Sequence, residues 1–154
     1  MKVGFYAGSF DPFTFGHLHI VKVASKIFDK VFVGIGINSK KARRFDKIQM
    51  KEAMEKVLEA ENVQNCEVII FDGLTCDVAL EYGADFLIRG IRNGVDYDFE
   101  ENLAQINEEI SGLETIYLRA SEYGVISSSM VFELMERGRD VSKYVPQFVL
   151  DVIK

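Results

Sequence analysis

The sequence predicts an α/β fold, a single doubly wound domain over residues 1–154 with a five-stranded, mostly parallel sheet. Two observations predict this fold. Strand-like and helix-like segments alternate from one end of the chain to the other, and the strand-like segments are continuously apolar. Such strands, separated by helices, are typical of a parallel sheet that is covered by helices on both faces.

The first half of the chain contains two strand–helix pairs. A strand is predicted at residues 2–7, and a helix over residues 17–29 follows from apolar side chains at i, i+3, i+4 and i+7. The β-branched run KVFVGIGI predicts the second strand, residues 30–37. The second helix, residues 46–61, has Asp46 as a good N-cap with Gln49 three residues later. Its apolar stripe consists of Met50, Ala53, Met54, Val57 and Leu58.

The second half repeats the alternation. Strands are predicted at residues 67–71, 86–88 and 115–118, and a short helix at residues 75–82. A longer helix over residues 96–110 carries Phe99, Leu103, Ile106 and Ile110 on one side. Two further helices are expected at residues 128–137 and 146–153, the last with Pro146 in its first turn.

The composition excludes several classes of protein. The 154 residues carry a net charge of −6, which disfavours binding to nucleic acid or an anionic membrane through bulk charge. No apolar stretch approaches the roughly 20 residues of a membrane helix, and no signal peptide is expected. The two cysteines, Cys66 and Cys76, lack zinc-site spacing and are read as reduced thiols of a cytoplasmic protein.

Cationic or phosphate-friendly groups follow four of the five predicted strands. In a doubly wound sheet the carboxyl ends of the strands form the edge where ligands bind. The segments at this edge therefore predict an anionic ligand, most of all a phosphate. The five segments, one after each predicted strand, are GSFDPFTFGH, NSKKARRF, DGLT, RGIRNGVDYDFE and RASEYGVISSS.

Each of these segments also has a structural interpretation. Lys40, Lys41, Arg43 and Arg44 could form a solvated loop. Arg89 and Arg92 could be ion-pair partners of Asp96 and Asp98, and the serines at 127–129 could simply cap a helix. His17 could be an ordinary first-turn residue. The convergence of the segments on one edge favours the ligand site.

Three familiar sites are excluded by their patterns. The chain has no GxxxxGK[ST] motif, so it is not a P-loop NTPase. Gly34 and Gly36 lie inside a strand without the third glycine of a dinucleotide fingerprint. Ser9 and His17 lack the GxSxG elbow and the positioned acid of a nucleophile–base pair.

The motifs resemble a known family. Thr14-Phe15-Gly16-His17 and ISSS at residues 126–129 are similar to the motifs of the TxGH nucleotidyltransferases, which have a Rossmann-like fold. The fuller set looks like bacterial phosphopantetheine adenylyltransferase over nearly the whole chain: YAGSFDPFTFGH, N-x-x-K at residues 38–41 with Phe45, LIRGIRNGVDYDFE and EYGVISSSMV.

The resemblance implies a reaction and a set of roles. The family transfers AMP reversibly from ATP to 4′-phosphopantetheine, giving dephospho-CoA and pyrophosphate with Mg²⁺, in the penultimate step of coenzyme A biosynthesis. His17 would stabilise the transition state at the α-phosphate, and Ser9 would touch both substrates. Lys41 and Arg89 would hold the phosphate of phosphopantetheine, with Thr75 along its arm. The ATP site would comprise Ser9, Phe10, His17, Gly90, Ile91, Arg92, Glu100, Tyr123, Gly124, Val125, Ile126, Ser127, Ser128 and Ser129.

Physical chemistry and the resemblance indicate the same mechanism. In-line attack of a phosphate oxygen on the α-phosphate needs no covalent enzyme intermediate, but it needs two repelling anions to be aligned and their charge compensated. His17 and the free N–H groups of a helix start would face the α-phosphate. Arg92 would serve the triphosphate, and the nucleotide phosphates would hold the Mg²⁺, so no protein metal site is expected.

Three departures from the family pattern stand out: Ser9 in place of Thr, Ser39 in place of Pro, and Phe132 where relatives often have a basic residue. His19 has no role in the motif and is expected on the helix surface. The resemblance further implies a homohexamer and inhibition by coenzyme A. The alternatives are a related nucleotidyltransferase acting on glycerol phosphate or nicotinamide mononucleotide, and a non-catalytic nucleotide- or CoA-binding module.

Overall fold

The computed structural model describes residues 1–38, 40 and 42–154, without the side chains of Val95 and Phe99. The strands are β1 Val3–Gly8, β2 Lys30–Ile37, β3 Cys66–Asp72, β4 Phe86–Ile91 and β5 Glu114–Arg119. The helices are α1 Phe15–Ile27, α2 Lys47–Ala60, α3 Thr75–Glu81, α4 Gly94–Ser111, α5 Ser128–Glu136 and α6 Gln147–Ile153. A 3₁₀ turn at Ser121–Tyr123, which the sequence did not predict, follows β5.

The five strands form one parallel sheet in the order β3-β2-β1-β4-β5. The chain winds outward from β1 through β2 to β3, then crosses back and winds the other way through β4 to β5. The point where the direction reverses therefore lies between β1 and β4, and ligands bind at such a point in open α/β sheets. The predicted fold class is confirmed.

Apolar clusters cover both faces of the sheet. β1 contributes to both of them, because successive strand residues point to opposite faces: Phe5 belongs to the smaller cluster and Tyr6 to the larger. All five residues of the predicted α2 stripe are buried, and the Asp46 carboxylate caps that helix by accepting from the Gln49 N–H. None of the helices in the described part of the chain is long and apolar enough to span a membrane.

The apolar side predicted for α4 is exposed where that of α2 is buried. Leu103, Ile106 and Ile110 are 41%, 53% and 54% exposed, and Tyr97, near the start of the helix, is 46% exposed. These three residues of the predicted apolar side are therefore not part of the core, and the Phe99 side chain lies outside the described residues. Among the α4 residues whose side chains are described, Glu100 and Ala104 are buried.

Candidate active site

The candidate site lies where β1 and β4 separate. These two strands pair over three residues, ending at Tyr6 opposite Ile88. β1 nevertheless remains paired with β2 as far as Gly8, and β4 with β5 as far as Ile91. The sheet thus splits at its carboxyl edge, and a cavity of about 250 Å³ opens there, which we call the β1/β4 cavity.

The loop after β1 and the start of α1 form one wall of this cavity. The helix begins two residues before His17, at Phe15, with Thr14 as its N-cap. The Thr14 N–H donates to Nδ1 of His17 at 3.0 Å, and the Thr14 hydroxyl accepts from the His17 N–H at 3.3 Å. Because Nδ1 accepts a hydrogen bond from a backbone N–H, the proton of the neutral imidazole is on Nε2.

Aromatic rings surround the imidazole. His17 is stacked on Phe13, with ring centroids 5.7 Å apart, and meets the edge of Phe10 at 4.9 Å. Burial lowers the pKa of His17 to about 3, and the charges of Arg89 and Arg92 lower it in the same direction. His17 is therefore a neutral hydrogen-bond donor at physiological pH.

The expected cluster of free N–H groups at the start of α1 is reduced to one in the described structure. The Phe15 N–H donates to the Tyr144 carbonyl, and the His17 N–H is capped by Thr14. Gly16 retains an N–H without a partner among the described residues, and it lines the cavity. At Gly8 a Cβ would lie 3.0 Å from the Phe10 ring, so a larger residue there would require the ring to shift.

Arg89 spans the gap in the sheet. Its Nη1 donates to the Ala7 carbonyl at 2.6 Å, and its Nε and Nη2 donate to the two oxygens of Glu100 at 2.8 and 2.9 Å. Its ion-pair partner is therefore Glu100, not the Asp96 or Asp98 considered from the sequence. Described residues use three of the five guanidinium N–H groups, and the other two are donors that a ligand could use.

Arg92 lies at the mouth of the cavity and is paired with Asp96. Its Nε and Nη2 donate to the carboxylate at 2.8 and 3.2 Å, so the ion pair considered from the sequence is present. The hydrogen bond from Arg92 is the main cause that lowers the pKa of Asp96. Asp96 also lines the cavity, and a ligand phosphate would have to compete with it for Arg92.

The start of α5 closes the opposite wall. The Ser127 hydroxyl accepts from the Met130 N–H, and the Ser128 hydroxyl donates to the Pro12 carbonyl at 2.8 Å. The helix start is thus fixed to the loop after β1. Of the three serines that could have been simple helix caps, only Ser127 caps α5, and Ser127 and Ser128 both line the cavity.

A second cavity of about 280 Å³, which we call the α3/α4 cavity, lies on the other face of the sheet. Thr75, at the start of α3, lines it together with Leu74, Leu103 and Asn107. Both cavities are lined by Ala7, Arg89 and Glu100. The Arg89–Glu100 pair therefore forms the wall between them.

Most of the predicted site residues converge on these cavities. The β1/β4 cavity is lined by Ser9, Phe10, His17, Arg89, Gly90, Arg92, Glu100, Tyr123, Ile126, Ser127 and Ser128. Ile91, Gly124, Val125 and Ser129 lie next to lining residues without lining the cavity, and Val125 is 79% exposed. Lys41 and Ser39 lie outside the described residues. His19 is half-buried against the Tyr123 ring, at 5.4 Å, rather than free on the helix surface.

Sequence reasoning missed several lining residues. Tyr6 was predicted only as part of the first strand, but its side chain borders the cavity, and burial raises the pKa of its hydroxyl. Asn107 and Leu103 were predicted only as residues of a helix, because no site motif includes them, but both line the α3/α4 cavity. The alternation of β1 side chains could have found Tyr6, because it places that residue on the face of α1.

Comparisons with known proteins identify the family of the chain. The cytidylyltransferase-like family matches residues 5–134. Among solved structures, a bifunctional NMN adenylyltransferase/ADP ribose pyrophosphatase from Francisella tularensis, complexed with AMP and a manganese ion, superposes with a TM-score of 0.69 at 15% identity, covering 99% of this chain and 52% of that one. At this identity the likeness shows the fold alone. Fold, site and family match together make the chain a nucleotidyltransferase.

Curated relatives define the family more closely. A phosphopantetheine adenylyltransferase of Lachnoclostridium phytofermentans is 40% identical over 155 residues, covering 99% of this chain and 94% of that protein. Another from Porphyromonas gingivalis is 42% identical over 152 residues, covering 97% and 98%. The chain belongs to the phosphopantetheine adenylyltransferase family. The family predicted from the motifs, and with it the enzyme class and adenylyltransferase function, is confirmed.

Proposed function

We propose that the chain transfers AMP to 4′-phosphopantetheine with ATP bound in the β1/β4 cavity and the pantetheine arm in the α3/α4 cavity. The products are dephospho-CoA and pyrophosphate, and the reaction is reversible. The observation that supports this arrangement is the position of Arg89 in the wall shared by the two cavities. A phosphate held there would lie between a nucleotide on one side and an apolar arm on the other.

The acceptor phosphate is proposed to bind the two unused N–H groups of Arg89. Glu100 and the Ala7 carbonyl fix the guanidinium through three hydrogen bonds, so little side-chain entropy is lost when a phosphate binds. Thr75 and Leu74 at the start of α3 would contact the arm. Lys41, proposed from the family motif to hold the same phosphate, would add a second positive charge.

His17 is proposed to act as a neutral donor. In the transfer, an oxygen of the acceptor phosphate forms a bond to the α-phosphorus of ATP while the bond from that phosphorus to the departing pyrophosphate oxygen breaks. The Nε2–H of His17 would donate to a non-bridging α-phosphate oxygen as charge accumulates there. Thr14 holds the ring in the tautomer that this donation needs, so His17 transfers no proton.

Mg²⁺ is proposed to enter as part of the Mg·ATP substrate. Within the part of the chain that the structure describes, no three His, Cys, Asp or Glu side chains are grouped to hold a metal ion. The two carboxylates of the β1/β4 cavity, Asp96 and Glu100, are each bound by an arginine. This donor set fits an ion held by the nucleotide phosphates, where it would neutralise part of their charge.

We propose a homohexamer in which copies of the chain cover the exposed apolar side of α4, formed by Tyr97, Leu103, Ile106 and Ile110.

Coenzyme A carries the same pantetheine arm and is proposed to inhibit by occupying the acceptor site. A cytoplasmic location is proposed because Cys66 and Cys76 are both free thiols, the state that a reducing compartment maintains.

The test is pyrophosphate release from Mg·ATP with 4′-phosphopantetheine added or withheld. We expect release that depends on phosphopantetheine and falls at least about 100-fold in His17→Ala, since removing a donor at a developing oxyanion typically costs this much. ATP affinity should change far less, because the interaction is made mainly in the transition state. His19→Ala is the matched control and should stay within about twofold.

Two outcomes would contradict the assigned reaction, and a third would contradict the role of His17. Release with nicotinamide mononucleotide or glycerol phosphate in place of phosphopantetheine would assign a different acceptor. ATP binding without release on any of the three acceptors would indicate a binding module. Normal turnover in His17→Ala would leave the family intact but refute the role of His17.

A further inference from the structure

Arg44 is a cation without a carboxylate partner in the described structure. The loop that carries it is fixed to the turn after β1, because the N–H groups of Arg44 and Phe45 donate to the two carboxylate oxygens of Asp11 at 2.8 and 2.9 Å. Arg43 lies 3.5 Å from the same carboxylate and offsets its charge. The Arg44 guanidinium itself donates to neutral oxygens, the Asp11 carbonyl at 3.1 Å and the Ser129 hydroxyl at 3.2 Å.

This distinguishes Arg44 from the arginines of the β1/β4 cavity. Arg89 and Arg92 are each paired with a carboxylate at 2.8 Å, so much of their charge is already balanced. The charge of Arg44 has no such balance from a described residue, in a chain whose net charge is −6. It is therefore available to an anionic ligand.

The Phe132 ring holds this guanidinium in place. Cζ of Arg44 lies 4.8 Å from the ring centroid of Phe132, which is cation–π distance. Phe45 meets the same ring edge-on, with centroids 6.1 Å apart. Phe132, the α5 residue that departs from the family motif, thus supports an arginine of the loop between β2 and α2.

The start of α5 offers further donors beside Arg44. The Met130 N–H is capped by the Ser127 hydroxyl, and the Val131 N–H bonds the Ser127 carbonyl. The N–H groups of Ser128 and Ser129 have no partner in the described part of the chain. Ser128 lines the β1/β4 cavity, and the hydroxyl of the next residue, Ser129, accepts from Arg44, so the start of α5 connects the cavity lining to the guanidinium.

We propose that Arg44 binds the β- and γ-phosphates of ATP, and pyrophosphate as it departs. The inference rests on the proposed function, to which it adds a residue for the leaving group. His17 serves the α-phosphate, and Arg44 with the start of α5 serves the part of the nucleotide that leaves. Negative charge increases on the departing oxygens in the transfer, so a fixed guanidinium there favours bond breaking.

The test compares ligands that contain the β- and γ-phosphates with ligands that lack them. Binding of inorganic pyrophosphate, a non-hydrolysable ATP analogue, AMP and dephospho-CoA is measured by titration calorimetry. Arg44→Gln should weaken pyrophosphate and the ATP analogue roughly 10- to 100-fold, the loss expected for a charge-assisted hydrogen bond. AMP and dephospho-CoA should stay within about twofold, since neither carries those phosphates.

Two further variants keep the result interpretable. Arg137→Gln removes the same charge from the far end of α5, where Arg137 is 73% exposed, and should alter none of the four affinities. Phe132→Leu removes the ring and keeps the cation, so it should weaken pyrophosphate about two- to fivefold, the loss expected from an exposed cation–π contact. In the Arg44→Gln background it should then have no further effect.

Unchanged pyrophosphate affinity in Arg44→Gln would overturn the proposal. An equal loss for all four ligands would also overturn it, because that pattern reports a general disturbance of the loop. These binding measurements do not depend on turnover, so they decide the role of Arg44 even if the wild-type chain fails to transfer AMP to phosphopantetheine.

Discussion

His17 combines two features that are usually opposed, since it is a catalytic candidate that lines a cavity and its ring packs against buried aromatic side chains. Its ring contacts Phe10 and Phe13, and the backbone of Thr14 occupies Nδ1. These contacts fix both the position and the tautomer of the ring. The reactive nitrogen therefore needs no reorganisation when the α-phosphate arrives.

The pKa of His17 predicts a pH effect on stability. Because the pKa is lowered from 6.5 to about 3 in the folded chain, between these values the unfolded chain binds a proton that the folded chain does not. The stabilising effect is complete above pH 6.5 and is lost as the pH falls toward 3. As the pH is lowered through this range, the free energy of unfolding of the wild type should decrease more steeply than that of His17→Gln. The difference between the two slopes should be at most about 1.4 kcal/mol per pH unit.

The measurement is urea denaturation of both proteins at several pH values from 4 to 7. Parallel curves for the two proteins would show that His17 titrates normally. The tautomer is tested separately by the nitrogen chemical shifts of the imidazole, which should report a proton on Nε2 at neutral pH.

Glu100 supports both the fold and the acceptor site. Its side chain is 10% exposed, and it binds Arg89 through both oxygens. Because Arg89 is 36% exposed, we expect Glu100→Ala to cost about 2 to 3 kcal/mol, below the usual range for a fully buried pair. Denaturant unfolding measures this. Glu67→Ala, which breaks the exposed pair with Lys30, should cost at most about 1 kcal/mol.

At the scale of elements, the packing of aromatic rings on the sheet depends on a glycine, Gly34, in β2. A Cβ at Gly34 would lie 2.8 Å from the Phe71 ring and 2.9 Å from the Phe5 ring. Gly34→Ala should therefore destabilise the chain by about 1 to 3 kcal/mol, the usual cost of overpacking. Gly94→Ala, where a Cβ meets no heavy atom within 4 Å, is the control, and equal unfolding midpoints for the two variants would contradict the prediction.

The exposed side of α4 carries the prediction about assembly. If copies of the chain cover this side, a charge at Ile106, which is 53% exposed, would be buried in the interface. Ile106→Lys should therefore lower the mass measured by sedimentation equilibrium from that of a hexamer to a smaller species. Leu80→Lys, at a position that is 47% exposed on α3, should leave the mass unchanged. A monomeric wild type, or a hexameric Ile106→Lys variant, would refute the interface.

At the scale of the whole molecule, the two cavities predict that the substrates are separable by mutation. Asn107 lines the α3/α4 cavity and has no part in the other. Asn107→Trp should narrow that cavity and raise the KM for 4′-phosphopantetheine by about tenfold or more, while the Kd for ATP stays within about twofold. Steady-state kinetics and calorimetry measure the two values. An equal loss for both substrates would show that the cavities do not divide them as proposed.

Element order and fold class could be predicted from the sequence because they depend on local periodicity. β4 was predicted too short, because a charged residue and a glycine, Arg89 and Gly90, are typical of a loop. In the structure both belong to the strand, since they pair with β5. The role of Asp11 could not be predicted, because its partners Arg44 and Phe45 are 33 and 34 residues away. The exposed α4 stripe shows the limit of periodicity, which identifies an apolar side but not what covers it.

Arg89 replaces a backbone hydrogen bond at the point where the sheet divides, by donating to the Ala7 carbonyl. The residue proposed to recognise the acceptor is thus also a structural part of the sheet. Random mutagenesis that selects for a new acceptor should seldom recover a change at this position, because loss of folding would remove such clones before their specificity was tested. Altered acceptor use should instead arise from the lining of the α3/α4 cavity, which can vary without opening the sheet.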